Sequence, residues 1–247
     1  MADHPPVETY GELDSTNAEA RRRAEAGDAG PVWIMAERQT AGRGRRGRAW
    51  STETGNLAAT LLTTTDLPPA EAARFSFVAA LAAADIADSF VGAGAARLKW
   101  PNDVLVFGRK AVGILVESGA IADGRLWLAV GVGVNLVHAP QDLERPAAAL
   151  AEHMAGPPPT PAEALELLAA RFEAWRRIWQ GDGFGAIATA WTARAHGLGE
   201  RCEAQLAHAT LTGVAEGLDT DGALRLRLDG GAVERITAGD VFFGGSV

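Results

Sequence analysis

Residues 104–134 read VLVFGRKAVGILVESGAIADGRLWLAVGVGV, and this stretch decides the fold. Two apolar runs, Val104 to Phe107 and Val112 to Val116, flank a turn at Gly108 and Arg109, the pattern of a hairpin. Further on, Leu126, Leu128, Val130, Val132 and Val134 alternate with Trp127, Ala129, Gly131 and Gly133. Successive side chains of a strand point to opposite faces. This strand therefore buries one face and is nearly bare at the end of the other. Its two glycines leave room for something to lie against the backbone.

Working outward, Val7 to Leu13, Val32 to Ala36 and Leu57 to Leu62 read as further strands. Between the first two, Thr16 and Glu19 fit a capping box that opens a helix through about Glu25, which Gly27 ends. Pro68 and Pro69 precede a long helix in which Phe75, Val78, Ala82 and Ile86 recur at helical spacing. Pro157 to Pro159 break the chain. Thr160, Pro161 and Glu163 then supply a cap, a first-turn proline and a box partner. The helix they open carries Leu165, Leu168, Phe172, Trp175 and Trp179 on one stripe, all read as core.

After Gly197-Leu198-Gly199 the composition shifts to short strands: Ala204 to Leu206, Thr210 to Val214, Leu224 to Leu228 and Val233 to Ile236. Asp221-Gly222 and Asp229-Gly230-Gly231 mark hairpin turns between them. The fold class expected is α+β: a mixed β-sheet flanked by helices over residues 1–196, then a small β-barrel over residues 197–247.

Composition narrows the function. The chain has 247 residues, 47% hydrophobic and 22% charged, which suits a globular protein. A net charge of −8 argues against a general electrostatic nucleic-acid binder. No apolar run reaches membrane-spanning length, and Met1 to Glu8 lacks the pattern of a signal sequence, so a cytoplasmic location is expected and no membrane partner. The lone Cys202 excludes an internal disulfide, and five scattered histidines show no metal-ligand spacing. Against this background Arg38, Arg43, Arg45, Arg46 and Arg48 crowd into eleven residues, while only two lysines, Lys99 and Lys110, occur in the whole chain. A lysine kept where arginine is otherwise used suggests a task for a compact ammonium charge.

Four segments carry candidate chemistry. In Gly42-Arg43-Gly44-Arg45-Arg46-Gly47, glycines allow close approach of backbone N–H groups to an anion, and arginines offer forked donors. Alone, this loop fits either an anion cradle or a solvated basic turn. Lys99-Trp100-Pro101-Asn102-Asp103 sets an amide and a carboxylate at a corner suited to hydroxyls, a metal or an ammonium group, or to a plain Asx turn. In Arg109-Lys110-Ala111-Val112-Gly113-Ile114-Leu115-Val116-Glu117, the lysine either points into a cleft as a phosphate-binding charge or guards a strand edge. Gly131-Val132-Gly133-Val134-Asn135 ends a strand on glycines and an amide.

Together with Ser15-Thr16-Asn17, these segments in this order resemble the biotin–protein ligase family, over about Glu12 to Val137, and the β-rich tail resembles that family's SH3-like C-terminal domain. The resemblance implies the fold of class II aminoacyl-tRNA synthetases and biotin synthetases. It also implies a two-step reaction. Biotin and ATP, with Mg²⁺ carried on the nucleotide, give biotinyl-5′-AMP, and biotin then passes to a lysine of a biotin carboxyl carrier protein or carboxylase biotinyl domain. By the same resemblance Lys110, Arg43, Arg45 and Asp103 are catalytic. Ser15, Thr16, Asn17, Gln39, Gly42, Arg43, Gly44, Arg45, Lys110 and Gly113 bind biotin. Arg45, Trp50, Lys99, Asn102, Lys110 and Asn135 face the nucleotide, with Trp50 placed to stack on adenine. Metal ligands are not assigned. Because the first strand begins near Met1, no N-terminal DNA-binding domain is expected; a homodimer is left open. Rival readings are a lipoate or other acyl-acid ligase of the same fold, and a non-enzymatic RNA-binding protein.

Overall fold

A computed structural model describes residues 4–140 and 146–244. In chain order the elements are β1 (Val7–Leu13), α1 (Thr16–Glu25), β2 (Val32–Gln39), β3 (Leu57–Thr65), α2 (Pro69–Ala72), α3 (Phe75–Val91), β4 (Ala96–Lys99), β5 (Asp103–Val106), β6 (Arg109–Ala120), β7 (Leu126–Val134), α4 (Pro161–Asp182), α5 (Phe184–Ala193), β8 (Arg201–Gln205), β9 (Thr210–Leu218), β10 (Leu224–Leu228), β11 (Val233–Ile236) and β12 (Asp240–Phe243). A seven-stranded sheet runs β1-β2-β3-β7-β6-β5-β4. Only β1 and β2 pair in parallel; the other neighbours are antiparallel, so the sheet is mixed. A five-stranded antiparallel SH3-like sheet follows, ordered β11-β10-β9-β8-β12.

The two-residue strand period divides the first sheet between two unequal cores. Trp33 and Met35 of β2, Leu57, Ala59 and Leu61 of β3, Val112 and Ile114 of β6, and Leu128, Val130, Val132 and Val134 of β7 face α3, α4 and α5. On the opposite face a small cluster of Val32, Ile34, Leu62, Trp127 and Ala129 packs under Ala20 and Ala24 of α1. Helix α1 has ten residues, about 15 Å of length, too short to cover that face. The uncovered part is where β7 carries Gly131 and Gly133 and β6 carries Gly113.

Several sequence expectations need adjusting. Pro69 opens a single turn, α2, and the apolar run begins afresh as α3; its Phe75, Val78, Ala82 and Ile86 are buried as expected. The Thr16–Glu19 capping box does not form. Ser15 is the N-cap of α1, both donors of Thr16 turn to Gln39, and Glu19 accepts from Arg22 at 2.9 Å. On α4 the expected stripe is graded: Leu165, Leu168 and Phe172 are fully buried, whereas Trp175 and Trp179 are half-buried at its edge. Trp175 instead donates from Nε1 to Asp85 at 2.8 Å. Strands β4 and β12 and helix α5 were not apparent in the sequence.

The capping box opening α4 does form: Thr160 N–H donates to Glu163 Oε2 at 2.8 Å, and Thr160 Oγ1 accepts from Glu163 N–H at 3.3 Å. Thr160→Ala is expected to lower stability by about 1 kcal/mol, read as an earlier thermal unfolding midpoint. An unchanged midpoint would show the cap to be dispensable.

Candidate active site

The uncovered half of the sheet forms the floor of a cavity of about 520 Å³, a size suited to a small ligand. Its walls are the α1 N-terminus, residues 43–51, residues 99–103 and, from the second sheet, Asp240 and Val241. The glycines of the floor are sterically required. A Cβ at Gly131 would lie 2.0 Å from Asn17 Oδ1, and one at Gly133 2.3 Å from Trp50 Nε1. At Gly113 it would lie 2.7 Å from the Trp50 ring. The group that lies against the bare backbone is thus this chain's own indole.

At one end of the cavity a chain of hydrogen bonds fixes α1 to the sheet. Gln39 Oε1 accepts from the Thr16 backbone N–H (2.8 Å) and hydroxyl (3.2 Å), and Gln39 Nε2 donates to Thr52 (2.9 Å). Thr60 and Thr16 join their hydroxyls at 2.8 Å, and Thr60 donates to Asn17 Oδ1 at 2.7 Å. Asn17 Nδ2 donates to Glu117 at 2.8 Å and to the Leu115 carbonyl at 3.3 Å, which uses both of its N–H groups. Ser15 is buried, makes no side-chain cap bond and lines the cavity.

The other end gathers charge. Lys110 Nζ lies 2.6 Å from Asp103 Oδ1 and 5.5 Å from the centre of the Trp50 ring. Asn102 donates to the Ile114 carbonyl (2.6 Å) and accepts from Arg45 (3.2 Å), holding the 99–103 corner against both β6 and the arginine loop. Arg45 also donates to the Gly239 carbonyl at 3.0 Å.

Asp240 is the counter-ion of the loop. Its carboxylate lies 2.6 Å from Arg48, 3.3 Å from Arg46 and 3.7 Å from Arg45. Burial alone would raise the Asp240 carboxyl, but the three guanidiniums, Arg48 foremost, outweigh it and hold it below the ordinary Asp range. Burial likewise draws Arg45 down from its usual value, against the pull of Asp240. Arg46 itself takes a left-handed backbone (φ 55°) while its guanidinium joins the clasp on Asp240.

Two family models match the chain: the biotin/lipoate A/B protein ligase family over residues 13–135, and the biotin protein ligase C-terminal domain over residues 197–244. A biotin–[acetyl-CoA-carboxylase] ligase of Paracoccus denitrificans is 45% identical over 94% of this chain and 98% of its own length. The chain belongs to the biotin protein ligase family. The bifunctional ligase/repressor BirA of Bacillus subtilis is 30% identical over 94% of this chain and 72% of its own length. Among solved structures, the biotin protein ligase of Aquifex aeolicus in complex with biotin and ATP matches with a TM-score of 0.80 at 25% identity, covering 97% of this chain and 99% of that one.

Of the residues that the biotin protein ligase motifs single out, Ser15, Thr16, Asn17, Gln39, Arg43, Gly44, Arg45, Trp50, Lys99, Asn102, Asp103, Lys110, Gly113 and Asn135 all line the one cavity. Gly42 does not. It closes the base of the loop, its carbonyl accepting from Trp50 N–H at 2.9 Å, and a Cβ there would meet the Trp50 carbonyl at 2.3 Å. Asn17 lines the cavity with its N–H donors already taken, so it acts as a pivot between α1 and β6. Arg43 reaches Glu117, not Lys110, and the two anchors on β6 are roughly 20 Å of strand apart. Lys99 Nζ lies 5.8 Å from the centre of the Phe242 ring.

Asp240 is not among the residues that the sequence singles out, and Glu117 enters there only as the end of the 109–117 segment, with no task. The signal for Asp240 was the loop itself, because a cluster of arginines needs a counter-charge, but nothing in the sequence says which carboxylate supplies it. Asp240→Asn should raise hydrogen exchange of the residue 43–48 amides about fivefold, roughly 1 kcal/mol of easier local opening. The clasp is complete above the unfolded Asp pKa and is lost only as pH falls through the lowered native value, so wild-type exchange at these amides, corrected for intrinsic rate, should stay flat from neutral to mildly acid pH. Loosening already near pH 6 would contradict this.

Proposed function

We propose that this chain is a biotin–protein ligase that makes biotinyl-5′-AMP from biotin and ATP and transfers biotin to a lysine of a biotin carboxyl carrier domain of a carboxylase. The observation that carries the reading is the placement of Lys110 and Arg45 around one cavity whose floor is glycine and whose far end is a hydrogen-bonding cluster. In the first step a biotin carboxylate oxygen attacks the α-phosphorus, and the bond to the β-phosphate oxygen breaks to release pyrophosphate. Two anions must meet for this, and cations fixed in a partly dry site lower that repulsion more than they could in water. Lys110 holds the carboxylate and α-phosphate together; Arg45, braced by Asn102 and the Gly239 carbonyl, holds the phosphates. Ser15, whose hydroxyl makes no cap bond, faces the ureido ring, and Thr16 and Gln39 meet it by exchanging hydrogen bonds that they make to each other in the empty site.

Among the described residues no group of three or more His, Cys, Asp or Glu side chains forms a metal site. Mg²⁺ binds chiefly through substrate phosphates and keeps several waters. It would enter with ATP, screening phosphate charge, with Asp103 and Asn135 as oxygen donors on the cavity wall. In the second step the carrier lysine nitrogen attacks the acyl carbon, the acyl–phosphate C–O bond breaks and AMP leaves. Asp103, already facing an ammonium at 2.6 Å, orients the incoming lysine and takes its proton. Trp50 offers its indole to the adenine. Residues 1–196 form the catalytic unit, and residues 197–247 carry the carboxylate that steadies its loop.

Incubation with biotin, MgATP and a biotinyl carrier domain should label that domain in a streptavidin blot, with lipoate in place of biotin giving background. Absence of label would refute the assignment. Lys110→Ala should cut biotin-dependent pyrophosphate release by about 10²-fold or more while leaving the far-ultraviolet circular dichroism unchanged. Near-normal release would remove Lys110 from the chemistry.

A further inference from the structure

Resting on that reading, we propose that Glu117 is a positioning residue that straps the arginine loop shut, and that Arg43 is the strap and not a ligand of the reacting anions. Glu117 stands on the cavity face of β6, two residues beyond Leu115 and four beyond Gly113, since alternate residues share a face. One of its oxygens, Oε2, takes two donors from different elements. Asn17 Nδ2 donates from the first turn of α1 at 2.8 Å, and Arg43 Nη2 donates from the loop at 3.1 Å. Behind them, Thr60 holds Asn17 Oδ1 at 2.7 Å, and Gly131 leaves the space that this amide fills.

The geometry separates the loop's arginines by task. Arg45 faces Asn102, beside the Asp103–Lys110 pair, whereas Arg43 is held at Glu117, next to Asn17. The Arg43 guanidinium is already engaged by Glu117, seven residues along β6 from Lys110 and next to Asn17. It is well placed to hold the loop down over whatever occupies the ureido end. The pair is about one-third exposed (37% and 27%), so it holds the loop without locking it, as a lid that must release product requires.

Glu117→Gln keeps the shape and an acceptor for Asn17 but removes the charge that holds Arg43. Three measurements test the strap: dissociation of biotinyl-5′-AMP, the steady-state split between KM for biotin and kcat, and tryptic cleavage after Arg45, Arg46 and Arg48 in the empty protein. Glu117→Gln and Arg43→Ala should each speed dissociation about three- to tenfold, raise KM for biotin more than they lower kcat, and hasten cleavage by a similar factor. The double variant should be no worse than the worse single one, because both remove the same contact.

The proposal falls if Glu117→Gln leaves dissociation and cleavage unchanged while Arg43→Ala abolishes adenylate formation, which would return Arg43 to the reacting anions. It falls equally if the two effects multiply. Should Glu117→Gln unfold, Arg43→Ala against Arg43→Lys decides: a strap tolerates Lys poorly in cleavage and dissociation but keeps adenylate formation. Failure of the wild type to bind biotinyl-5′-AMP would strike at the ligase assignment alone, because cleavage of the empty protein still decides the strap.

Discussion

Four arginines at 43, 45, 46 and 48 lie within six residues, and their mutual repulsion is the constraint on which the rest of the site depends. A loop so charged would be driven open if its cations had only each other for company. It is held because carboxylates from two distant strands receive it: Glu117 from β6 takes Arg43, and Asp240 from β12 takes Arg45, Arg46 and Arg48. Lys110 is treated the same way by Asp103. Arg43, Arg45 and Lys110 thus each have a resident anion, and Lys99 lies over the Phe242 ring. A substrate anion arriving there exchanges partners with a carboxylate already in place. The protein therefore need not bury bare charge while the site is empty.

The floor follows from strand periodicity. Because β6 and β7 send their odd and even residues to opposite faces, one sequence can serve two purposes: Val112, Ile114, Val130, Val132 and Val134 fill the main core, while Gly113, Gly131 and Gly133 leave room on the other side for the Trp50 indole and the Asn17 amide. A slip of one residue would bury the glycines and present valines to the cavity, so the large core pins the register of the small site. Helix α1 is part of the same solution. Its brevity leaves the glycine half of the face open, and its N-terminus delivers Ser15, Thr16 and Asn17 to the edge of that opening.

Much of this was legible in sequence because local rules governed it. The β5–β6 hairpin, the alternation of β7 and the α4 capping box each state their structure within ten or so residues. The gathering of 15–17, 39–50, 99–103, 110–113 and 131–135 into one cavity was readable only through the resemblance of their order to a family. Long-range pairing was not readable at all. Nothing near Asp240 distinguishes it from Asp229, which pairs with Arg201 on the surface, yet only one of them meets the loop. Thr16 shows the converse. Its sequence context fits a cap, but Gln39, at the end of the neighbouring strand β2, offers its oxygen to both donors, and tertiary geometry overrides local preference. Strand β4 was hidden because four residues, Ala96 to Lys99, are too few to show a period.

The second sheet is more than an appendage, because it touches two walls of the cavity that come from loops. Through Asp240 it holds the arginine loop, and through Gly222 it holds the 99–103 corner, whose buried Trp100 donates from Nε1 to the Gly222 carbonyl at 3.1 Å. Gly222 can approach because it lacks a Cβ, which would sit 2.9 Å from the Phe77 ring. Phe242 lies over Lys99, and Phe243 stacks edge-on to His196, where the backbone leaves the first sheet. Burial lowers the His196 pKa, so the imidazole stays neutral and adds an apolar surface beside Lys99 without a competing charge. Taking this sheet away would leave an indole N–H unpaired in the core and three guanidiniums without their carboxylate, and each loss bears on a different wall. The integrity of the cavity is therefore a property of both sheets together, even though all its lining residues but Asp240 and Val241 precede residue 197.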